Sequence, residues 1–194
     1  MPDPFDDYPD LDPSDHGAGS SPTIYTIGHS TRALDDFVGM LKAHGVRKLV
    51  DVRTIPRSRR HPHFSGEELA ESLLGYGVEY RWCKALGGLR RPLKDSLNTA
   101  WRNESFRGYA DYMQTPAFQA AVEELLELGR NSDTVIMCAE AVPWRCHRSL
   151  IGDALLARGA RVVDIMSEKK ASVHRPTPFA RFDGVRVNYP ARAE

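Results

Sequence analysis

The chain has 194 residues, enough for one domain with tails, and 41% of them are hydrophobic, as an ordinary globular core requires. No apolar run approaches the roughly 20 residues of a membrane helix, and three cysteines are too few for a disulfide scaffold, so a reduced, cytoplasmic protein without a membrane partner is expected. The formal charge of zero is unevenly spread: residues 1 to 16 hold six Asp (Asp3, Asp6, Asp7, Asp10, Asp12, Asp15) and no Lys or Arg, leaving 26 basic against 20 acidic residues, a surplus of six that favours anionic partners.

Residues 1 to 22 lack the charged-then-apolar pattern of a signal peptide and read as a disordered acidic leader. "TIYTIG" (23 to 28) is a short β-rich run that ends at a glycine. In "LDDFVGMLKAHG", Leu34, Phe37, Val38 and Leu41 fall at helical spacing and Gly45 closes the helix. "KLVDVR" (48 to 53) is a second buried strand, and "TIPRSRRHPHF" holds too much Pro and Arg to be other than loop. Ser65 with Glu68 suggests a capping box opening the helix of "SGEELAESLLGYG". "VEYRW" (78 to 82) is a third strand, residues 83 to 105 a long basic loop, and "FRGYADYM" a short helix. Thr115 as N-cap and Pro116 in the first turn open a longer helix. "DTVIMC" (133 to 138) and "ARVVDI" (160 to 165) are the fourth and fifth strands, with a helix from about Pro143 between them. Beyond Ser167 only "VRVNY" suggests a strand.

Strands alternating with helices imply a three-layer, Rossmann-like α/β sandwich built on a mostly parallel sheet of about five strands. The expected order is 3-2-1-4-5, with the switch point between strands 1 and 4. Residues 23–166 form the single domain, and 167–194 a C-terminal extension packed on or near it. Sites in such sheets form at the carboxyl ends of the strands, at the switch point. There the topology gathers Gly28, His29 and Ser30, Cys138 and Glu140, and Asp51 and Arg53.

The helix after strand four carries His147, Leu150, Ile151, Ala154 and Leu155 on one stripe, with Cys146 beside His147 at its start. Helix N-termini stabilise anions, so a thiol there, near Arg145 and Arg148, becomes a thiolate and a nucleophile. The competing interpretation is a buried small hydrophobe beside a core histidine. Arg53 reads either as a ligand clamp or as the ion-pair partner of Glu140. A strand-end cysteine, a loop, an arginine and a helix also suggest cysteine phosphatases and rhodaneses. Those use five residues between cysteine and arginine, however, and six separate Cys138 from Arg145.

Two alternatives stay open. Cys138, Cys146 and His29 offer metal ligands, with His61 and His63 nearby, though without a closed ligand spacing. The loops carrying Arg57, Arg59 and Arg60, and Arg90, Arg91 and Lys94, offer a basic surface for nucleic acid, with Phe64, Trp82 and Trp101 as stacking platforms.

"IYTIGHST", "LVDVR" with Pro56 and Ser58, and "CAE" with Pro143, "CHR" and Ile151 together resemble the domain-of-unknown-function family DUF488. The resemblance covers roughly residues 23 to 165. It implies an α/β fold and emphasises the same positions, but brings no established activity, substrate or cofactor. The expectation from the residues is a small enzyme, a thiol-dependent transferase or hydrolase for a phosphate-bearing substrate. Cys146 is its nucleophile, His147 or His29 its proton carrier, and Glu140 the group orienting one of them. Gly28, Ser30, Asp51, Arg53, Cys138, Arg145 and Arg148 then shape the anion pocket. The partner is an anionic small molecule or nucleic acid, no cofactor is strongly implied, and protein partners are unspecified.

Overall fold

Short apolar, β-branched runs buried on both faces are what a parallel sheet covered by helices requires. The computed structural model describes residues 21–191, so nearly all of the acidic leader lies outside them. The elements alternate along the chain: β1 (Thr23–Gly28), α1 (Leu34–Ala43), β2 (Lys48–Asp51), α2 (Gly66–Leu74), β3 (Glu79–Trp82), α3 (Glu104–Tyr112), α4 (Pro116–Asn131), β4 (Thr134–Cys138), α5 (Arg148–Leu156) and β5 (Arg161–Ser167). Three short strands follow, β6 (Lys170–Val173), β7 (Arg181–Asp183) and β8 (Arg186–Asn188).

The fold class is as expected, a mostly parallel sheet between helical layers, but the strand order needs correction. It is β3-β2-β4-β1-β5-β6, with β6 antiparallel to β5 and β7–β8 a separate hairpin. Relative to 3-2-1-4-5, the central pair is exchanged: β4 lies between β2 and β1. A buried strand reads as an apolar run whatever its neighbours, so its pattern cannot distinguish the two orders. Both orders keep β1 beside β4, and that adjacency is what positions the site.

Alternation along the strands divides the core. Ile27, Leu49, Val135 and Met137 pack with α1 and α2 through Phe37, Leu41, Leu69 and Leu73. Val50, Val52, Ile136 and Cys138 face the other way, onto Tyr109, Phe118, Val122, Leu150 and Ile151 of α3, α4 and α5. Val187 and Tyr189 of the C-terminal segment join this second cluster.

Local chemistry explains the boundaries. Gly45 takes φ +67° after α1, a conformation few other residues adopt. Thr115 Oγ1 accepts the Phe118 N–H 3.3 Å away, with Pro116 in the first turn of α4. Asn103 caps α3, accepting from the Ser105 amide at 2.9 Å. The expected capping box at Ser65 does not form: Ser65 precedes α2, but its hydroxyl accepts from the Ser58 amide at 3.5 Å and caps nothing. The helix placed near Pro143 is also corrected. Pro143–Arg145 form one 3-10 turn, Cys146 is extended (φ −137°, ψ 148°), and α5 starts at Arg148. Among the described residues no helix is long and apolar enough to cross a membrane.

Candidate functional site

The ends of β1 and β4 are joined beyond the strands themselves. Gly28 lies opposite Cys138, the His29 amide donates to the Cys138 carbonyl at 3.0 Å, and the Ser30 amide to that of Ala139 at 2.9 Å. A Cβ on Gly28 would lie 1.8 Å from the Glu140 carbonyl oxygen, so only glycine lets the 138–141 segment cross β1. On the other side of β4, the Val52 amide donates to Met137 at 3.0 Å. The three motif-bearing ends therefore converge, around a cavity of about 400 Å³ walled by the loops through Ile55 and Leu89 and by Phe106 and Tyr109 of α3.

Cys138, Cys146 and His147 line this cavity, with their Sγ and nearest imidazole nitrogen atoms all within 4.8 Å of one another. Cys146 Sγ is 3.7 Å from His147 Nδ1, and His147 Nε2 is 3.0 Å from the Val52 carbonyl oxygen. A carbonyl only accepts, so Nε2 carries hydrogen and Nδ1 of the neutral ring offers its lone pair to the thiol. Gly88 closes over the ring, where a Cβ would approach Nδ1 to 3.0 Å, and Tyr109 packs on it with centroids 4.9 Å apart.

The two thiols are driven apart in acidity. The Cys138 S–H donates to Cys146, and this bond, with His147 and the Arg148 charge, holds the Cys146 thiol well below its ordinary range against the opposing effect of burial. Bonding to Cys146, then burial, push Cys138 well above that range despite Arg148. Cys146 is thus the more acidic member of the pair, and Cys138 holds its proton more tightly.

Other expected roles change. Arg53 pairs with Asp51, not with Glu140: its Nε and Nη2 reach the carboxylate at 2.9 and 2.5 Å. Nη2 also donates to the Phe64 carbonyl at 2.7 Å, and Nη1 to His29 Nε2 at 3.3 Å. Asp51 is fully buried and also accepts from the Tyr80 hydroxyl at 2.8 Å, so it serves as an internal counter-ion. His29 is spent as well. Its Nδ1–H donates to the Ser30 carbonyl at 2.8 Å, its ring stacks on Phe64, and burial, then Arg53, push its pKa down to about 4. The metal-capable trio accordingly contains His147 in place of His29.

Glu140 orients neither histidine. Its side chain is exposed at the cavity rim, and its backbone carbonyl accepts from Arg148 Nη2 at 2.6 Å. Arg148 is 1% exposed and lies beneath that loop, outside the cavity wall, where it also reaches Thr26 Oγ1 at 3.4 Å. The exposed cations lining the cavity are Arg57 and Arg145.

Of the remaining basic residues, Arg59, Arg60, Arg91 and Lys94 are exposed, whereas Arg90 stacks 3.6 Å over Tyr112 and donates to Gly87. The stacking platforms are largely lost to the interior. Phe64 is fully buried, Trp101 packs among Phe106, Phe179 and Tyr189, and only Trp82 is substantially exposed.

The residues that sequence reasoning missed are those acting through backbone or through burial. Val52 contributes a carbonyl and Gly88 an absent side chain, neither of which a residue type announces. A second polar cluster was legible as charges inside apolar elements, Asp164 in "RVVDIM" and Asp153 in "LIGDALL". Both flank the buried His174, at 2.9 and 3.6 Å.

Comparison with known proteins finds no matching curated protein and no matching solved structure. The family model described as domain of unknown function DUF488 matches residues 33–155, which contain the Asp51–Arg53 pair, Cys138, Cys146 and His147. The chain therefore belongs to the DUF488 family.

Proposed function

We propose that the protein is a thiol-dependent transferase or hydrolase for a small substrate carrying a phosphate or other anionic group. The observation that carries this reading is Cys146, 3.7 Å from an imidazole nitrogen whose ring is locked by the Val52 carbonyl, at the wall of a roughly 400 Å³ cavity. Nucleophile, base and orienting group are the three elements a covalent thiol mechanism requires. His147 Nδ1 takes the Cys146 proton, the resulting thiolate attacks the electrophilic centre, and the leaving group departs with that proton. Nδ1 then takes a proton from the water or acceptor that releases the product. Arg57 and Arg145 at the cavity wall attract the anionic end, while Ile55, Leu89 and Phe106 accommodate an apolar body.

Arg53, Asp51, His29 and Arg148 are positioning residues in this reading. They fix the strand ends, and Arg148 adds its field to the thiolate. The raised pKa of Cys138 argues against its acting as a phosphatase-type nucleophile. The test is exposure of the protein to activated acyl and phosphoryl esters with mass mapping of adducts. An adduct on Cys146, absent from Cys146→Ser and slow to hydrolyse in His147→Gln, is expected. Turnover undiminished in Cys146→Ser would overturn the reading.

The second reading is a metal site. A thiolate at about 2.3 Å and an imidazole at about 2.0–2.1 Å from a tetrahedral zinc ion stand about 3.6 Å apart, close to the 3.7 Å between Cys146 and His147. The Nε2–H bond to Val52 is the outer contact that metal-bound histidines make. Stoichiometric metal in protein purified without chelators, lost in Cys138→Ser, would support this reading. Metal-free protein with a reactive Cys146 would remove it.

A further inference from the structure

We propose that Cys138 is the resolving thiol of Cys146, so that a hydroperoxide drives the site reversibly between a dithiol and a Cys138–Cys146 disulfide. This rests on Cys146 being the reactive thiol and adds a second chemistry at the same place. The sulfur atoms are free thiols within 4.8 Å of each other, and both border the cavity through which a small oxidant enters.

The step balances as follows. His147 Nδ1 takes the Cys146 proton, the thiolate attacks one peroxide oxygen, the O–O bond breaks, and the leaving alkoxide or hydroxide takes that proton back from Nδ1. Cys146 is then a sulfenic acid, oxidised by two electrons, and the hydroperoxide has become an alcohol or water. Cys138 next attacks the Cys146 sulfur. The S–O bond breaks as the S–S bond forms, and the thiol proton leaves with the hydroxide as water. An external thiol reductant restores the pair by exchange.

Cys138 suits the second step by position: it ends β4 at the same cavity wall, with its sulfur near that of Cys146. The sulfurs must close from within 4.8 Å to about 2.05 Å. Cys138 is fixed at the end of β4, so the movement falls to Cys146, which sits in extended backbone between the 3-10 turn and α5. Cys83 does not line the cavity, and burial raises its thiol.

The test is treatment of the reduced full chain with one equivalent of hydrogen peroxide, followed by intact mass and peptide mapping. Loss of two hydrogen atoms, with Cys138 and Cys146 peptides cross-linked and reduction by dithiothreitol, is the expected result. Cys138→Ser should instead gain one oxygen and form a dimedone adduct on Cys146, and Cys83→Ser should behave as the wild type. Wild-type protein that accumulates oxygen on Cys146 without cross-linking, or cross-links through Cys83, would overturn the proposal. Parallel alkylation separates the two claims: rapid iodoacetamide labelling of Cys146 without cross-linking overturns the resolving role and leaves the nucleophile standing, whereas inertness to both reagents removes both.

Discussion

Replacing His174 by Gln should flatten the dependence of stability on pH above neutrality. His174 is 6% exposed and lies between Asp164, 2.9 Å from Nδ1, and Asp153, 3.6 Å from Nε2. Asp164 also accepts from Thr26 at 2.6 Å, and Asp153 from Tyr189 at 2.8 Å, so both carboxylates are held in place. Burial alone would lower the histidine's pKa, but the two carboxylates outweigh it and raise it from 6.5 to about 9. A group whose folded pKa is raised stabilises the fold fully below its unfolded value, and that stabilisation is lost as the pH climbs through the folded value. At about 1.4 kcal/mol per pH unit, the interval corresponds to about 3 kcal/mol lost between pH 6.5 and about 9. Urea unfolding followed by tryptophan fluorescence at several pH values measures this directly. His174→Gln should lose most of the slope across that window, since Gln carries no proton to release. Parallel slopes for the two proteins would refute the reasoning.

Removing Asp51 in Asp51→Ala leaves the 6%-exposed Arg53 guanidinium without its carboxylate and should cost about 3–5 kcal/mol in the same unfolding assay. Gly28→Ala sets a methyl group 1.8 Å from the Glu140 carbonyl oxygen, so the crossing must shift, costing about 1–3 kcal/mol and altering Cys146 alkylation. His147→Gln removes one of the groups that stabilise the thiolate, and the alkylation profile of Cys146 should move to higher pH with the thermal transition little changed. Arg57→Ala with Arg145→Ala changes exposed side chains, so it should weaken protection of Cys146 by inorganic phosphate several-fold without affecting stability.

How much of this was legible follows from what each signal records. Periodicity and caps record local preferences, so α1, α4 and the glycine closing α1 were placed within a residue or two. Which strands pair is a long-range matter to which buried strands contribute no neighbour-specific pattern, hence the exchanged β1 and β4. The convergence of the strand ends survived that error because it needed only β1 beside β4. Roles failed where a partner decided them. Arg53 and Glu140 were paired by charge, yet Asp51, two residues before Arg53 and on the same side of the chain, is the carboxylate in reach. His29 and His147 are indistinguishable as residue types. Ser30 and Arg53 consume both nitrogens of one ring, and Val52 leaves one nitrogen of the other open.

The central claim is that Cys146 is a thiolate beside a cavity that admits an anion, and alkylation of each cysteine against pH, mapped by mass spectrometry with and without inorganic phosphate, tests it most directly. The account predicts that Cys146 reacts well below the ordinary thiol pKa of about 8.5. Phosphate should slow that reaction, and Cys138 and Cys83 should lag behind. A Cys146 inert in the native, metal-free protein and labelled only on unfolding would contradict it.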